Sequence, residues 1–147
     1  MGDRTEQTRI LGVDFGSKRI GLALSDPLRI LASAYSVVEN DENVWEALSA
    51  VIRKENVDLA VVGMPLTLKG EQGGKAREVQ LFVEEFRRRL EIEVVCWDER
   101  FTTAMAGRFR LASGIGRKAR RTSRLDAASA AILLQEFLDR TKNSMSC

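Results

Sequence analysis

The hydrophobic period changes once along this chain, and that change constrains the fold more than any other feature. Residues 9–15 (RILGVDF) and 20–25 (IGLALS) are short apolar runs joined by the turn-like Gly16-Ser17-Lys18-Arg19, the pattern of a β-hairpin. A third extended run over 30–39 completes an antiparallel meander before a polar cluster at 39–43. The period then becomes helical: Val44, Ala47, Leu48, Val51 and Ile52 fall on one face of a segment covering 44–55. Residues 58–64 (DLAVVGM) are apolar through the middle, as a strand covered on both faces requires, and Pro65 ends them.

The loop over 66–74 holds Gly70, Gly73 and Gly74 and leads into a second helix with Val79, Phe82, Val83, Phe86 and Leu90 on one face. Residues 92–97 form the next buried strand. A helix is expected from Thr102 to near Gly114, and a last one from about Leu125 to Arg140, with Ala127, Ala130, Ala131 and Leu134 as a close-packing stripe. The order βββ-α-β-α-β-α-α is mixed α/β: an antiparallel three-strand meander followed by βα units, one central sheet with helices on both faces. The RNase H-like fold has this order. With 147 residues and neither repeat nor linker, the chain reads as a single domain over 1–147, with an ordered core at about 9–140.

Composition removes several chemistries. There is no histidine, which excludes a Ser-His-Asp triad, a Cys-His pair and any His-ligated metal. The two cysteines, Cys96 and Cys147, make neither a CxxC motif nor a disulfide framework, so a reducing cytoplasm is the expected location. No run approaches the roughly 20 apolar residues of a membrane span, and no membrane partner is expected. Lys and Arg outnumber Asp and Glu by only 23 to 21, so charge must be judged by its distribution. Residues 117–124 (RKARRTSR) carry five basic residues and no acid, a local positive patch expected to be a loop.

Carboxylates remain as the reactive groups. Asp14 follows the first strand, Asp98 and Glu99 follow VVCW, and Asp126 opens the expected last helix. Ligand sites in open α/β sheets favour strand ends. Acids converging there repel one another unless a divalent cation neutralises them, and oxygen ligands suit Mg²⁺ or Mn²⁺. Two such ions ~3.5–4 Å apart can activate water and stabilise the leaving oxygen of a phosphodiester. Asp14 in a strand of Ile, Leu and Val has no structural explanation, because a buried carboxylate without a partner is costly. Asp126 has two readings, ligand or helix cap, since Ser123-Arg124-Leu125-Asp126 is also a capping-box pattern. Asp98 and Glu99 are adjacent, so in a strand they point to opposite faces and only one can join Asp14 directly. Asp26, before Pro27, reads as a turn residue.

Four segments together resemble the YqgF-type pre-16S rRNA nuclease family, also described as Holliday junction resolvase-like: GVDFGSKRIGLALSD, GMPLTLKGEQG, DERFTT and RRTSRLDAASAAILLQEFL. The resemblance covers about 10–138. It implies an RNase H-like fold and a hydrolase that cuts nucleic acid, with a role in maturing the 5′ end of the small-subunit ribosomal RNA. The partner so implied is pre-rRNA or branched DNA, in association with the ribosome. The family's acidic positions fall on Asp14, the Asp98-Glu99 pair and Asp126, as catalytic residues and metal ligands. Related resolvases carry a second acid one helical turn after the last aspartate, where this chain has Ser129. The expected nucleic-acid contacts are Lys18, Arg19, Arg100, Arg117, Lys118, Arg120, Arg121 and Arg124. Two other classes compete: an ATP-binding lobe of the actin and sugar-kinase type, which this single lobe is too small to complete, and a non-catalytic nucleic-acid-binding module of the same fold.

Overall fold

The computed structural model describes residues 7–65, 73–98 and 119–145, and the side chains of the last stretch over 126–141. Five strands form one sheet: β1 (Arg9–Asp14), β2 (Arg19–Ser25), β3 (Ala32–Glu39), β4 (Val57–Met64) and β5 (Glu93–Asp98), in the order β3-β2-β1-β4-β5. β1 pairs antiparallel with β2, and β2 with β3, while β1, β4 and β5 run parallel. Three helices accompany them: α1 (Val44–Glu55), α2 (Gly74–Leu90) and α3 (Ala119–Met145). Meander first and βα units after, this is the mixed sheet of an RNase H-like fold.

Strand alternation divides the apolar residues between two layers. Leu11 and Val13 of β1 join Leu22, Ala60 and Val62 under α1 and α2, against Leu48, Val79, Val83 and Phe86. Ile10, Ala23 and Val61 face the other way, onto Ala130, Leu134, Phe137 and Leu138 of α3. The first layer also holds an aromatic group that reaches the sheet edge: Phe15 lies 4.8 Å from Phe82, which stacks on Trp45 at 5.2 Å. Phe15 directly follows Asp14, so the end of β1 is tied to α2.

α3 lies unusually close to the sheet, and two glycines inside strands explain it. A Cβ on Gly12 would stand 2.8 Å from Leu134 Cβ and 3.1 Å from the Ala130 carbonyl oxygen. A Cβ on Gly21 would stand 2.0 Å from the Asp126 carbonyl oxygen. Neither position can carry a side chain unless the helix withdraws.

Several boundaries differ from the sequence expectation, for local reasons. β3 begins at Ala32 rather than at 30, because Asp26 Oδ1 accepts the amides of Ile30 and Leu31, both at 2.8 Å, and Oδ2 accepts that of Leu28 at 3.2 Å. These amides hold the Asp26 carboxyl below its ordinary value, Leu31 foremost. Asp26 is thus the turn residue expected of it. α1 spans the expected 44–55 and stops at Asn56, which is left-handed at φ 57°.

The larger difference is α3. It starts at Ala119, not near Leu125, so Arg120, Arg121 and Arg124 are helical rather than part of a loop. Asp126 is the eighth residue of this helix and does not sit in a capping box. The helix expected over 102–114 lies outside the described residues.

Leu134 is fully buried between α3 and β1. Leu134→Ala is expected to cost roughly 2–5 kcal/mol by urea titration, through lost burial and the cavity left behind. A loss under about 1 kcal/mol would mean that α3 is not held by this contact.

Candidate active site

Parallel β1, β4 and β5 end at one edge of the sheet, where Asp14, Met64 and Asp98 are their last residues. A cluster of carboxylates at such an edge is the arrangement expected of an α/β ligand site. Asp14 lies directly opposite Gly21 in the β1–β2 ladder, and the backbone of Asp126 rests on Gly21 from the α3 side. The hairpin therefore delivers Asp14, and the missing side chain across from it admits Asp126. Both line one cavity of about 190 Å³, together with Phe15, Gly16, Gly63, Pro65, Lys75 and Val79.

Arg19 Nε donates to Asp126 Oδ2 at 3.4 Å, with both side chains about 30% exposed. Arg19 and Gly21 are two residues apart on β2 and so share the face covered by α3. A pair this long and this solvated contributes at most about 1 kcal/mol, but it places a cation beside a carboxylate that would otherwise face Asp14. The residue expected to touch nucleic acid is engaged here with a member of the acidic site.

The Asp98-Glu99 pair divides differently. Asp98 is in register with Met64, whose side chain packs in the layer under α1 and α2. The neighbouring pair Gly63–Trp97 belongs to the opposite face, where Trp97 meets Phe137 of α3 edge-on at 5.3 Å. Asp14, paired with Gly21, also belongs to the α3 face. Asp98 thus shares the edge with Asp14 but not its face, and it does not line the cavity. Among the described residues no three acidic or sulfur-bearing side chains come together as a metal-holding group. Glu99, Arg100, Arg117 and Lys118 lie outside the described residues, as do the side chains of Arg120, Arg121 and Arg124. Lys18 is exposed in the β1–β2 turn, where its carbonyl accepts the Asn40 amide at 2.9 Å. Ser129, where resolvases carry a further acid, is buried at 1% exposure.

Three contributors, Gly12, Gly21 and Lys75, were missed in the sequence. Gly12 and Gly21 did carry a signal, since an isolated glycine within a strand pattern marks a close backbone approach. Lys75 had no signal at all: it precedes the apolar stripe of its helix, and only the fold brings it to the cavity.

Comparison with known proteins bears on this edge. The family described as RuvX, Holliday junction resolvase, matches residues 8–140. A protein of Sulfurihydrogenibium sp. named "Putative pre-16S rRNA nuclease" is 40% identical over 90% of this chain and 91% of its own length. Proteins of the same name from Roseiflexus sp. and Anaplasma marginale are 39% and 41% identical, over 92% and 91% of this chain and 96% and 86% of their own. Among solved structures, T. thermophilus RuvC in complex with Holliday junction substrate superposes with a TM-score of 0.57, at 14% identity over 92% of this chain and 96% of that one. Fowlpox virus resolvase with its junction DNA gives 0.54, at 15% identity over 91% and 99%. At such identities the structures speak for the fold.

If Gly21 sets the distance between Asp14 and Asp126, Gly21→Ala should displace α3 at Asp126 and lower stability by about 1–3 kcal/mol, the usual cost of overpacking. A crystal structure of the variant with α3 unmoved would contradict this.

Proposed function

From the premise that this chain belongs to the RuvX Holliday junction resolvase family, we propose that it is a metal-dependent nuclease that hydrolyses phosphodiester bonds in processing the 5′ end of pre-16S rRNA. The observation that carries the reading is the convergence of Asp14 and Asp126 on one cavity at the strand ends. The name shared by relatives at 35–41% identity supports the RNA substrate and a place in ribosome biogenesis, hence a cytoplasmic, ribosome-associated setting. The family's description favours a second reading, an endonuclease acting on branched DNA. A non-catalytic module is disfavoured because two carboxylates held this close are costly to a fold that does not use them.

The donor set fits a hard cation: two carboxylates reach the cavity, and the sequence holds no histidine to compete for a softer metal. Asp14 and Asp126 would hold Mg²⁺ or Mn²⁺. When bound, the ion would supply Lewis-acid stabilisation of the phosphate and activation of water. The third carboxylate is assigned to the Asp98-Glu99 pair. The register of Asp98 with Met64 supports Glu99 as the member acting with Asp14. The chain's own groups do the positioning. Asp14 is fixed by its ladder and by Phe15 on α2, Asp126 by its seat on Gly21. Gly63 lends no side chain to the cavity, so a phosphate can approach the strand ends.

The nuclease reading predicts that Asp14→Asn keeps the fold and abolishes cleavage of labelled RNA and branched DNA, because volume is kept and a ligating charge is lost. Calorimetry should show weaker Mn²⁺ binding in the same variant. Glu99→Gln should lose more activity than Asp98→Asn. Mg²⁺ or Mn²⁺ should support turnover and Ca²⁺ should not. Full activity in chelator, or wild-type turnover by Asp14→Asn, would sink the mechanism.

The basic residues are assigned to the nucleic-acid backbone: Lys18, Arg19, Arg100, Arg117, Lys118, Arg120, Arg121 and Arg124. Replacing Arg120, Arg121 and Arg124 by alanine should weaken binding to RNA and DNA alike and flatten the salt dependence by roughly one unit of log–log slope per lost phosphate contact. Unchanged affinity with an unchanged slope would make them solvated helix residues only.

A further inference from the structure

Helix α2 begins at the cavity, and its first turn is charged the wrong way for a helix. A helix N-terminus carries a partial positive charge and favours acids. The first turn of α2 has no acid and instead contains Lys75 and Arg77, while the last turn has Arg87, Arg88 and Arg89 as the dipole prefers. Lys75 is exposed and makes no ion pair among the described residues, whereas Arg88 and Arg89 of the same helix pair with Glu85. Its ammonium stands 6.0 Å from the centroid of the Phe15 ring, the residue after Asp14.

Among the described residues, Lys75 is also the one cationic side chain lining the cavity of Asp14 and Asp126. Its placement costs the isolated helix stability, because the dipole and Arg77 both oppose it. Packing does not explain it either, since the neighbouring Ala76 and Val79 bury the helix and Lys75 does not. An anion entering between Lys75 and the carboxylate-held cation would offset that cost.

We propose that Lys75 is a substrate-binding residue of this site, its ammonium holding a backbone phosphate of the nucleic-acid strand on the α2 side of the cavity while Asp14 acts from the end of β1 and Asp126 from α3. The proposal rests on the nuclease reading and deepens it. A phosphodiester carries one negative charge that must be oriented before water can attack it in line. A cation supplied by α2 would hold that charge without competing for a metal that the carboxylates would bind. The contact is to the backbone, so it serves RNA and DNA equally and reads no base. Phe15, packed on Phe82, presents its ring to the Lys75 ammonium beside the cavity that both residues line.

The test compares Lys75→Ala, Lys75→Arg and, as a control, Lys54→Ala at the end of α1, with Mg²⁺ and labelled RNA and branched DNA. Lys75→Ala should raise KM and Kd about tenfold or more, the scale of one charge-assisted hydrogen bond, and reduce the salt slope by about one unit. Thermal stability should not fall, and kcat should change less than KM. Lys75→Arg should recover most of the affinity, and Lys54→Ala should match the wild type. Methylphosphonates placed one at a time along the substrate should identify one position where the wild type is impaired and Lys75→Ala is not impaired further. If Lys75→Ala binds and cleaves with wild-type KM and slope while Asp14→Asn is inactive, the lysine assignment is overturned and the nuclease reading stands. If the wild type itself cleaves neither substrate, the nuclease reading fails and the lysine assignment with it.

Discussion

The close seat of α3 on the β1–β2 hairpin decides both the fold and the site. Gly12 and Gly21 leave two gaps on one face of the sheet, and α3 settles into them with Ala130, Leu134 and the backbone of Asp126. Glycine inside a strand costs roughly 0.5–1 kcal/mol relative to alanine. Burial of Ala130, Leu134, Phe137 and Leu138 against Ile10 and Val61 more than offsets that at a few kcal/mol per large side chain. What the exchange achieves is position: Gly21 is the ladder partner of Asp14, so the gap that admits the helix also brings Asp126 to the end of β1.

That juxtaposition carries an electrostatic debt. Two carboxylates on one small cavity repel, and the described residues show the repulsion answered from the rim by Arg19 on Asp126. Lys75 faces the same cavity from α2. The near-balance of the whole chain, 23 basic against 21 acidic residues, conceals this local arrangement. Two cations, Arg19 and Lys75, accompany the acidic pair, a local distribution that suits a polyanionic partner.

Much of this was legible in the sequence where one physical rule acted alone. The 3.6-residue spacing of Val44, Leu48, Val51 and Ile52 gave α1 its bounds. The apolar run over 58–64 gave β4 to within one residue of its start at Val57, and the lone carboxylate in RILGVD marked Asp14. Competing local rules misled where tertiary contacts chose between them. Ser123 and Asp126 satisfy a capping pattern, but α3 continues upstream to Ala119, so the acid is available to the cavity instead of to a helix end. The apolar Ile30 and Leu31 extend the β3 pattern, but the Asp26 carboxylate takes their amides. Lys75 was illegible because its role depends on where β1 ends, which no feature within α2 records.

The site also explains how one fold can suit relatives named for ribosomal RNA and a family described for DNA junctions. Its described walls are carboxylates, an ammonium, glycine backbone and the apolar Phe15 and Val79, groups that under the proposed reading would engage a phosphodiester, which both nucleic acids share. None of these side chains has the paired donor and acceptor geometry that reads a base edge. Choice among substrates must then come from which strands can enter the cavity between the edge of the sheet and the first turn of α2. A flexed or branched backbone can present a phosphate at such a concave edge, whereas a regular duplex offers its phosphates on a convex surface. The glycine opposite Asp14 belongs to that shape, because its missing side chain is what lets the backbone of Asp126 close on the strand end.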